Sequence, residues 1–332
     1  MADVCVVGPG GVGGYLAAVL AQGGLDVAVV ARGAHGEAIA RGGLRLIDPQ
    51  RSDAAPARVT VHASLDDAPP APVVVLAVKQ RDLPAVVAQL PEDDAVVLAV
   101  QNGVAHLSGP LASLDASRVL VGSVYIFSHV EEPGAIRVLG GPRLYRFGPL
   151  DPAQEELALR ADELAARWNA AGLLSAADGD GRRVCWEKLC LLAPLSGLTA
   201  LTARTVGELR ELPEMMATFR TLVEEVRAVA LAEDVDVSAE TVDFIVQGIG
   251  STDPEGRSSL FRDLAQGRDS ELEVLLGDVV RRAEAYGVAV PALRAVYAAT
   301  RLRYGVRVPG ARPGDPESAR ILTMTLTGGT PS

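Results

Sequence analysis

The stretch that decides the fold is DVCVVGPGGVGGYLAAVLAQGGLDVAVVARG, residues 3–33. Its β-branched run Asp3–Val7 predicts a strand, and Tyr15–Ala21 fits a helix that ends at two glycines. Asp26–Ala31 predicts a second strand. A strand, a glycine turn, a helix and a second strand within about 30 residues are typical of the first unit of a doubly wound α/β sheet.

The turn between strand and helix has the spacing Gly8-x-Gly10-x-x-Gly13, which is the fingerprint of a dinucleotide-binding loop. The first glycine permits the tight turn, the second lets a pyrophosphate approach the backbone, and the third lets the helix pack on the strand. The helix N-terminus adds free N–H groups and the positive end of its dipole. The alternative is a glycine-rich turn that binds nothing. The predicted cofactor-binding residues of the loop are Gly8, Gly10, Gly11, Val12 and Gly13.

The end of the second strand indicates which dinucleotide binds. NAD enzymes usually carry an acid there for the ribose hydroxyls, whereas this chain has Arg32. An arginine can pair bidentately with a 2′-phosphate. The sequence therefore predicts NADPH as the cofactor, the alternative being that Arg32 is a solvated surface residue.

Two further apolar runs, Val73–Val78 and Ala95–Val100, predict buried parallel strands. Lys79 follows the first run, and Asn102 follows the second run after one residue. Ligands of open α/β sheets lie at this carboxyl edge, so both residues are candidate site residues. The alternatives are a solvated lysine at a strand end and a simple Asn-Gly turn.

The rest of the chain divides into a hairpin and a helical half. Val119–Phe127 and Ala135–Leu139 predict an antiparallel hairpin added to the sheet, and Pro152–Ala171 predicts a helix. Further helices are predicted over Arg183–Ala203, Pro213–Glu233, Ala239–Gly248, Ser270–Tyr286 and Pro291–Tyr304. We therefore predict a doubly wound Rossmann-type α/β domain (1–178), an all-helical domain (179–308) and a loosely packed tail (309–332).

Composition excludes several classes of protein. The 332 residues carry a net charge of −11 without a basic cluster, which disfavours nucleic acid and anionic membranes as partners. Three irregularly spaced cysteines indicate a reducing compartment, and four scattered histidines give no metal site. The uncharged run from Val4 to Leu25 is broken by glycines and lacks a basic start, so it predicts neither a signal peptide nor a spanning helix. We expect a cytoplasmic protein. Whether it forms a homodimer is not decided by the sequence.

The helical half offers two candidate catalytic groups. Lys188 precedes a stretch that has no further charge until Arg204, and an ammonium can protonate the alkoxide formed when a ketone is reduced. Glu271 lies inside the predicted capping box of Ser270 and Glu273 but is not part of that reciprocal pair. The alternatives are a first-turn lysine in water and an acid favoured by the helix dipole.

With these residues in place, the chain resembles the 2-dehydropantoate 2-reductase (ketopantoate reductase) family over roughly residues 3 to 305. The matching stretches include VVGPGGVGGYLA, VVLAVKQRDL, AVQNGV, WEKL and SSLFRDLAQGRDSELEVLLG. The last of these contains Asp263, Glu271 and Gly277 in the order specific to this family among Rossmann reductases.

The resemblance implies a role for each candidate. Arg32 matches the ligand of the 2′-phosphate, and Lys79 and Asn102 match the polar pair near the nicotinamide and its ribose. Lys188 matches the proton donor to the keto oxygen. Two further matches are Ser259, which would bind the substrate carboxylate, and Glu271, which would contact the substrate and the catalytic lysine.

The chain departs from the family at two positions. The family commonly has asparagine four and eight residues after the catalytic lysine, where this chain has Leu192 and Ser196. Leu192 offers no hydrogen bond, whereas Ser196 can replace part of the contacts of an amide. The predicted substrate-binding residues are Ser259, Ser196 and Asn102. We predict NADPH-dependent reduction of a small 2-oxo acid, with 2-dehydropantoate as the first choice. The alternatives are a different oxo acid or pathway-specific ketone, and a catalytically weak NADPH-binding sensor.

Overall fold

The computed structural model describes residues 1–51 and 55–306 of the chain. One nine-stranded sheet occupies the N-terminal half. Its strands are β1 (Val4–Val7), β2 (Val27–Val30), β3 (Arg45–Ile47), β4 (Thr60–His62), β5 (Val73–Leu76), β6 (Val96–Ala99), β7 (Val119–Glu132), β8 (Ala135–Pro149) and β9 (Ser175–Ala177). The helices of this half are α1 (Gly11–Gln22), α2 (Gly33–Gly42), α3 (Leu83–Val87) and α4 (Glu155–Ala170).

The centre of the sheet is parallel and follows the order β4-β2-β1-β5-β6-β7. Its central strands are apolar and buried along their whole length, since helices and the helical half cover both faces. The order reverses at β1, which places a crevice at the carboxyl ends of β1 and β5. The predicted Rossmann-type fold is confirmed.

An antiparallel hairpin closes one side of the sheet. β7 and β8 pair from Leu120 and Pro149 to Glu132 and Ala135, so the hairpin is longer than the sequence predicted. Register shifts after Tyr125 bend it, and its outer arm crosses the start of α1. A Cβ at Gly11 would lie 2.5 Å from the carbonyl oxygen of Ser128 in this arm. The hairpin therefore packs directly on the glycine loop.

The C-terminal half contains helices and no strand within the described residues beyond 177. These helices are α5 (Gly181–Thr202), α6 (Val206–Arg210), α7 (Pro213–Ala232), α8 (Ala239–Gly248), α9 (Ser259–Ala265), α10 (Asp278–Ala285) and α11 (Pro291–Tyr304). By length and composition α5 could cross a membrane, but 67% of its most apolar window is buried inside the protein. It is the central helix of this half and also packs against β7, where Ser123 Oγ donates to the Val184 carbonyl.

The prediction of a capping box at Ser270 and Glu273 is wrong. The segment Glu273–Gly277 forms a π-helical turn that leads into α10, and Ser270 lies before it. The Glu273 carboxylate instead accepts from the Tyr297 hydroxyl at 2.7 and 2.8 Å and from Arg281 at 3.0 Å. Partners 8 and 24 residues away in the sequence therefore bind the carboxylate in place of the local cap.

One apolar core continues from the sheet into the helical half. It joins strand residues such as Leu76 and Val97 to helix residues such as Leu189 and Leu276. The two halves therefore meet over a continuous apolar interface, and the candidate site lies where this interface reaches the carboxyl edge of the sheet. The predicted tail 309–332 lies outside the described residues.

Candidate active site

The glycine loop combines tight packing with one open position. Gly8 has φ +86°, and a Cβ there would lie 2.8 Å from Val78 Cγ1. A Cβ at Gly13 would lie 2.7 Å from the Ala77 Cβ, whereas none of the protein's atoms lies within 4 Å of the Cβ position of Gly10. Gly8 and Gly13 thus serve the turn and the contact of helix with strand. Gly10 leaves the backbone open to an approaching group, as the fingerprint requires.

Two other loop residues have structural partners. Gly11 makes room for the hairpin arm, and the Val12 carbonyl accepts a hydrogen bond from the Tyr145 hydroxyl at 2.7 Å. Packing therefore explains both residues without a ligand. Their predicted contact with a cofactor stays a prediction.

The exposed Arg32 lies directly before α2 at the end of β2, beside the glycine loop. Its side chain has no ion-pair or hydrogen-bond partner among residues 1–51 and 55–306. No acid occupies the first turn of α2. A phosphate at this corner would therefore meet a guanidinium that has no partner among the described residues, and no carboxylate in the first turn of α2.

His35, which the sequence analysis did not single out, connects three elements at this corner. Its Nε2 lies 2.9 Å from the Pro9 carbonyl oxygen in the glycine loop, and its Nδ1 accepts from the Gly134 N–H at 3.1 Å. Because Nδ1 accepts, Nε2 carries the proton and donates to Pro9. The imidazole thus links the glycine loop, α2 and the hairpin. Only its position in the first turn of α2 could have drawn attention to it.

Four side chains from distant parts of the chain form a hydrogen-bonded line that we call the polar row: Lys188, Asn102, Glu271 and Lys79. Lys188 Nζ donates to Asn102 Oδ1 at 2.7 Å and to the Val124 carbonyl at 2.8 Å. Asn102 Nδ2 donates to Glu271 Oε2 at 3.1 Å, and Lys79 Nζ donates to Glu271 Oε1 at 2.9 Å. The row crosses from the helical half to the carboxyl edge of the sheet.

The polar row corrects one detail of the prediction. Glu271 was expected to contact Lys188, but the Asn102 amide lies between them and bonds to both. The neighbouring Gln101 connects this segment to the end of β5, since its Nε2 donates to the Leu76 and Val78 carbonyls at 2.8 and 3.1 Å. Asn102 is thus the link through which the carboxylate and the ammonium are held together.

Burial and charge set the protonation of the row. Burial lowers the pKa of Lys188 from 10.5 to about 8, although the charge of Glu271 acts in the opposite direction. Burial raises the pKa of Glu271, but the charge of Lys79 and the hydrogen bonds from Lys79 and Asn102 outweigh it, so the net pKa is below its ordinary value. At neutral pH the row therefore holds a carboxylate and an ammonium that can give up its proton.

An aromatic ring lies near Lys188, and Leu192 and Ser196 follow it along α5. The Tyr125 ring centroid lies 5.7 Å from Lys188 Nζ, within range of a cation–π contact. Leu192 follows Lys188 by one helical turn, is half-buried and packs on the apolar core. Ser196 is fully buried, and its hydroxyl has no hydrogen-bond partner in the described structure. Tyr125 is a second residue that the sequence reasoning missed.

The predicted carboxylate ligand Ser259 is the exposed first residue of α9. Its neighbour Ser258 caps that helix, accepting from the Phe261 N–H at 3.1 Å and from the Thr199 hydroxyl at 2.7 Å. The Thr199 bond ties the start of α9 to α5, the helix that carries Lys188. No hydrogen bond joins Ser259 to the polar row in the part of the chain that the structure describes.

Comparison with known proteins finds similarity along nearly the whole chain. The family described as Ketopantoate reductase PanE/ApbA matches residues 4–152, and its C-terminal domain matches residues 180–303. A 2-dehydropantoate 2-reductase from Mesorhizobium japonicum is 31% identical over 323 residues, covering 90% of this chain and 96% of that protein.

Solved structures give the same result. A PanE/ApbA family ketopantoate reductase from Ralstonia eutropha has a TM-score of 0.78 and 31% identity, covering 91% of this chain and 98% of its own. A D-mandelate dehydrogenase solved with NADH and anilino(oxo)acetate has a TM-score of 0.79 with the same coverage. Its identity is 20%, so it shows the fold alone.

Proposed function

Because the chain belongs to the ketopantoate reductase family, we propose that it reduces a small 2-oxo acid with NADPH, and that 2-dehydropantoate is its first-choice substrate. The product would then be pantoate, the precursor for pantothenate. The observation that carries the proposal is the polar row, because it brings a lysine of lowered pKa and an anchored carboxylate to the sheet edge beside the glycine loop.

The residues at this edge fit a dinucleotide. Gly10 and the N-terminus of α1 offer an open backbone to a pyrophosphate, and Arg32, which has no partner within the described residues, suits a 2′-phosphate. Lys79 and Asn102 would lie near the nicotinamide ribose, as the family resemblance implies. NADPH, when bound, supplies the hydride for the keto carbon.

In the mechanism that we propose, the chain supplies the proton and holds the substrate. Lys188 uses two of its N–H groups on Asn102 and Val124, which leaves the third for a keto oxygen. As the carbonyl is reduced, that oxygen gains negative charge and takes the proton from the ammonium. Glu271 acts through Asn102 to keep the ammonium in place. Ser259 is proposed to bind the substrate carboxylate.

A second candidate substrate class is favoured by the surroundings of Lys188. Leu192 and the Tyr125 ring offer apolar surface, and the only hydroxyl on that stretch of α5, Ser196, is fully buried. A substrate hydroxyl left facing such surface costs about 1–3 kcal/mol. An oxo acid without a hydroxyl is therefore the alternative. A catalytically weak NADPH-binding sensor is disfavoured, since it would not need Lys188 and Glu271 joined through Asn102.

The test is NADPH oxidation against a panel of 2-oxo acids that includes 2-dehydropantoate and its analogue without the hydroxyl. We expect Lys188→Ala to lower kcat by about 10²–10⁴-fold with little change in NADPH affinity. A matched control is Arg204→Ala, because the exposed Arg204 follows the same helix and its side chain pairs only with Glu208 in the described structure. Near wild-type turnover of Lys188→Ala would reject Lys188 as the acid.

Two coarser predictions are also kept as proposals. The division into domains at residues 178 and 179 coincides with the change from strands to helices. A cytoplasmic location is supported by Cys5, Cys185 and Cys190, which are all free and buried.

A further inference from the structure

Arg282 in α10 reaches from the helical half to the loop that carries Asn102. Its Nη2 donates to the Val104 carbonyl at 3.2 Å and to Ser108 Oγ at 2.8 Å. Val104 and Ser108 follow Asn102 within six residues, and we call the segment 102–108 the Asn102 loop. One guanidinium therefore holds two points of this loop from the opposite side of the domain interface.

Two carboxylates hold the guanidinium itself. Arg282 Nη1 donates to both oxygens of Glu233 at 2.6 and 2.9 Å, and its Nε donates to Asp278 Oδ2 at 2.8 Å. All three side chains are largely buried, with 13% of Arg282, 13% of Glu233 and 14% of Asp278 exposed. A planar fork with fixed donors, kept in place by two buried acids, is a rigid support.

The Asn102 loop is also fitted to the helical half by packing. Gly103 has φ +79°, and a Cβ there would lie 2.8 Å from Cγ1 and 3.0 Å from the carbonyl oxygen of Val274 in the π-helical turn. Val104 and His106 are fully buried. Burial and the charge of Arg282 lower the pKa of His106 to about 3, so the loop adds no charge of its own at neutral pH.

From this geometry we infer that Arg282 is a positioning residue for the reductase reaction: it fixes the Asn102 loop so that one amide can bond to both Lys188 and Glu271. The inference rests on the proposed function. Asn102 is itself part of a loop without regular secondary structure, and its two partners come from the other half of the protein. A small shift of the loop would lengthen both hydrogen bonds, and misplacement by about 1 Å can cost about 10²-fold in rate.

The experiment compares wild type with Arg282→Lys, which keeps the positive charge between the acids but loses the planar fork. Ser108→Ala is the gentler second variant, because it removes one contact from the loop side. Arg294→Lys is the control, since Arg294 pairs with Glu284 between α10 and α11 at an exposed site. Each is measured for kcat, NADPH dissociation constant and amide hydrogen exchange of residues 102–108.

We expect Arg282→Lys to lower kcat by about 10- to 100-fold, to leave the NADPH dissociation constant within about twofold, and to speed exchange in the Asn102 loop. Ser108→Ala should show the same pattern more weakly, and the control should show none of it. Unchanged kcat or unchanged exchange in the loop overturns the inference. So does a loss of kcat that comes with faster exchange along the whole chain, because that is a general loss of stability. If wild type reduces no 2-oxo acid, the proposed function fails, while the exchange data still decide whether Arg282 fixes the loop.

Discussion

Replacement of Lys188 by methionine is expected to stop reduction and, at the same time, to stabilise the folded protein. The fold lowers the pKa of this ammonium from 10.5 to about 8, chiefly through burial. At about 1.4 kcal/mol per pH unit, holding the charge in the fold costs about 3 kcal/mol. The side chain keeps some solvent contact, and methionine leaves the Asn102 and Val124 oxygens without a donor, so we expect a net gain of about 1–2 kcal/mol.

The pH dependence of this gain in stability shows whether the buried charge of Lys188 is its cause. The folded pKa lies below the unfolded one, so the cost is fully present below pH 8 and disappears as pH rises to 10.5. Urea unfolding of wild type and Lys188→Met at pH 7 and at higher pH should therefore show a stability difference that shrinks with rising pH. Wild-type kcat should fall over the same range, about tenfold per pH unit well above pH 8, because the proton donor is lost. A variant that is less stable than wild type at pH 7 would refute the reasoning.

Three further substitutions test the cofactor corner and the pocket. Arg32→Ala should raise the KM for NADPH by about 10- to 150-fold and that for NADH far less, and equal effects on both would contradict the assignment of the 2′-phosphate. His35→Gln cannot keep both hydrogen bonds and should raise the dissociation constants of NADPH and NADH alike by about 5- to 10-fold, at one lost hydrogen bond of about 1 kcal/mol. The control His129→Gln, an exposed histidine paired with Glu131 on the same hairpin, should change neither constant. Leu192→Asn/Ser196→Asn should shift kcat/KM toward 2-dehydropantoate relative to the analogue without its hydroxyl, by about 10-fold or more. No shift, with wild type already preferring the hydroxylated acid, would show that these two positions are neutral.

The sequence by itself determined the elements whose signals are local. The apolar runs of β1, β2, β5 and β6 and the helices around residues 213–232, 239–248 and 291–304 were predictable within a few residues, because strand and helix formation follow from patterns of neighbouring residues. The glycine loop was equally predictable, since turn and packing geometry require Gly8 and Gly13 at a fixed spacing. The family followed from motifs of the same kind.

Only the tertiary structure decided how the site is connected. Lys188 meets Asn102 across 86 residues, and Asn102 meets Glu271 across 169, and no local pattern encodes such pairs. The Asn102 amide therefore lies between Lys188 and Glu271, which the family resemblance implied to be in direct contact. Glu273 gives the converse case, because Ser270 and Glu273 have the spacing of a capping box but the Tyr297 hydroxyl and Arg281 bind the carboxylate instead. A local hydrogen bond of about 1 kcal/mol is easily exchanged for a charge-assisted one of about 1.5–3 kcal/mol that folding brings within reach.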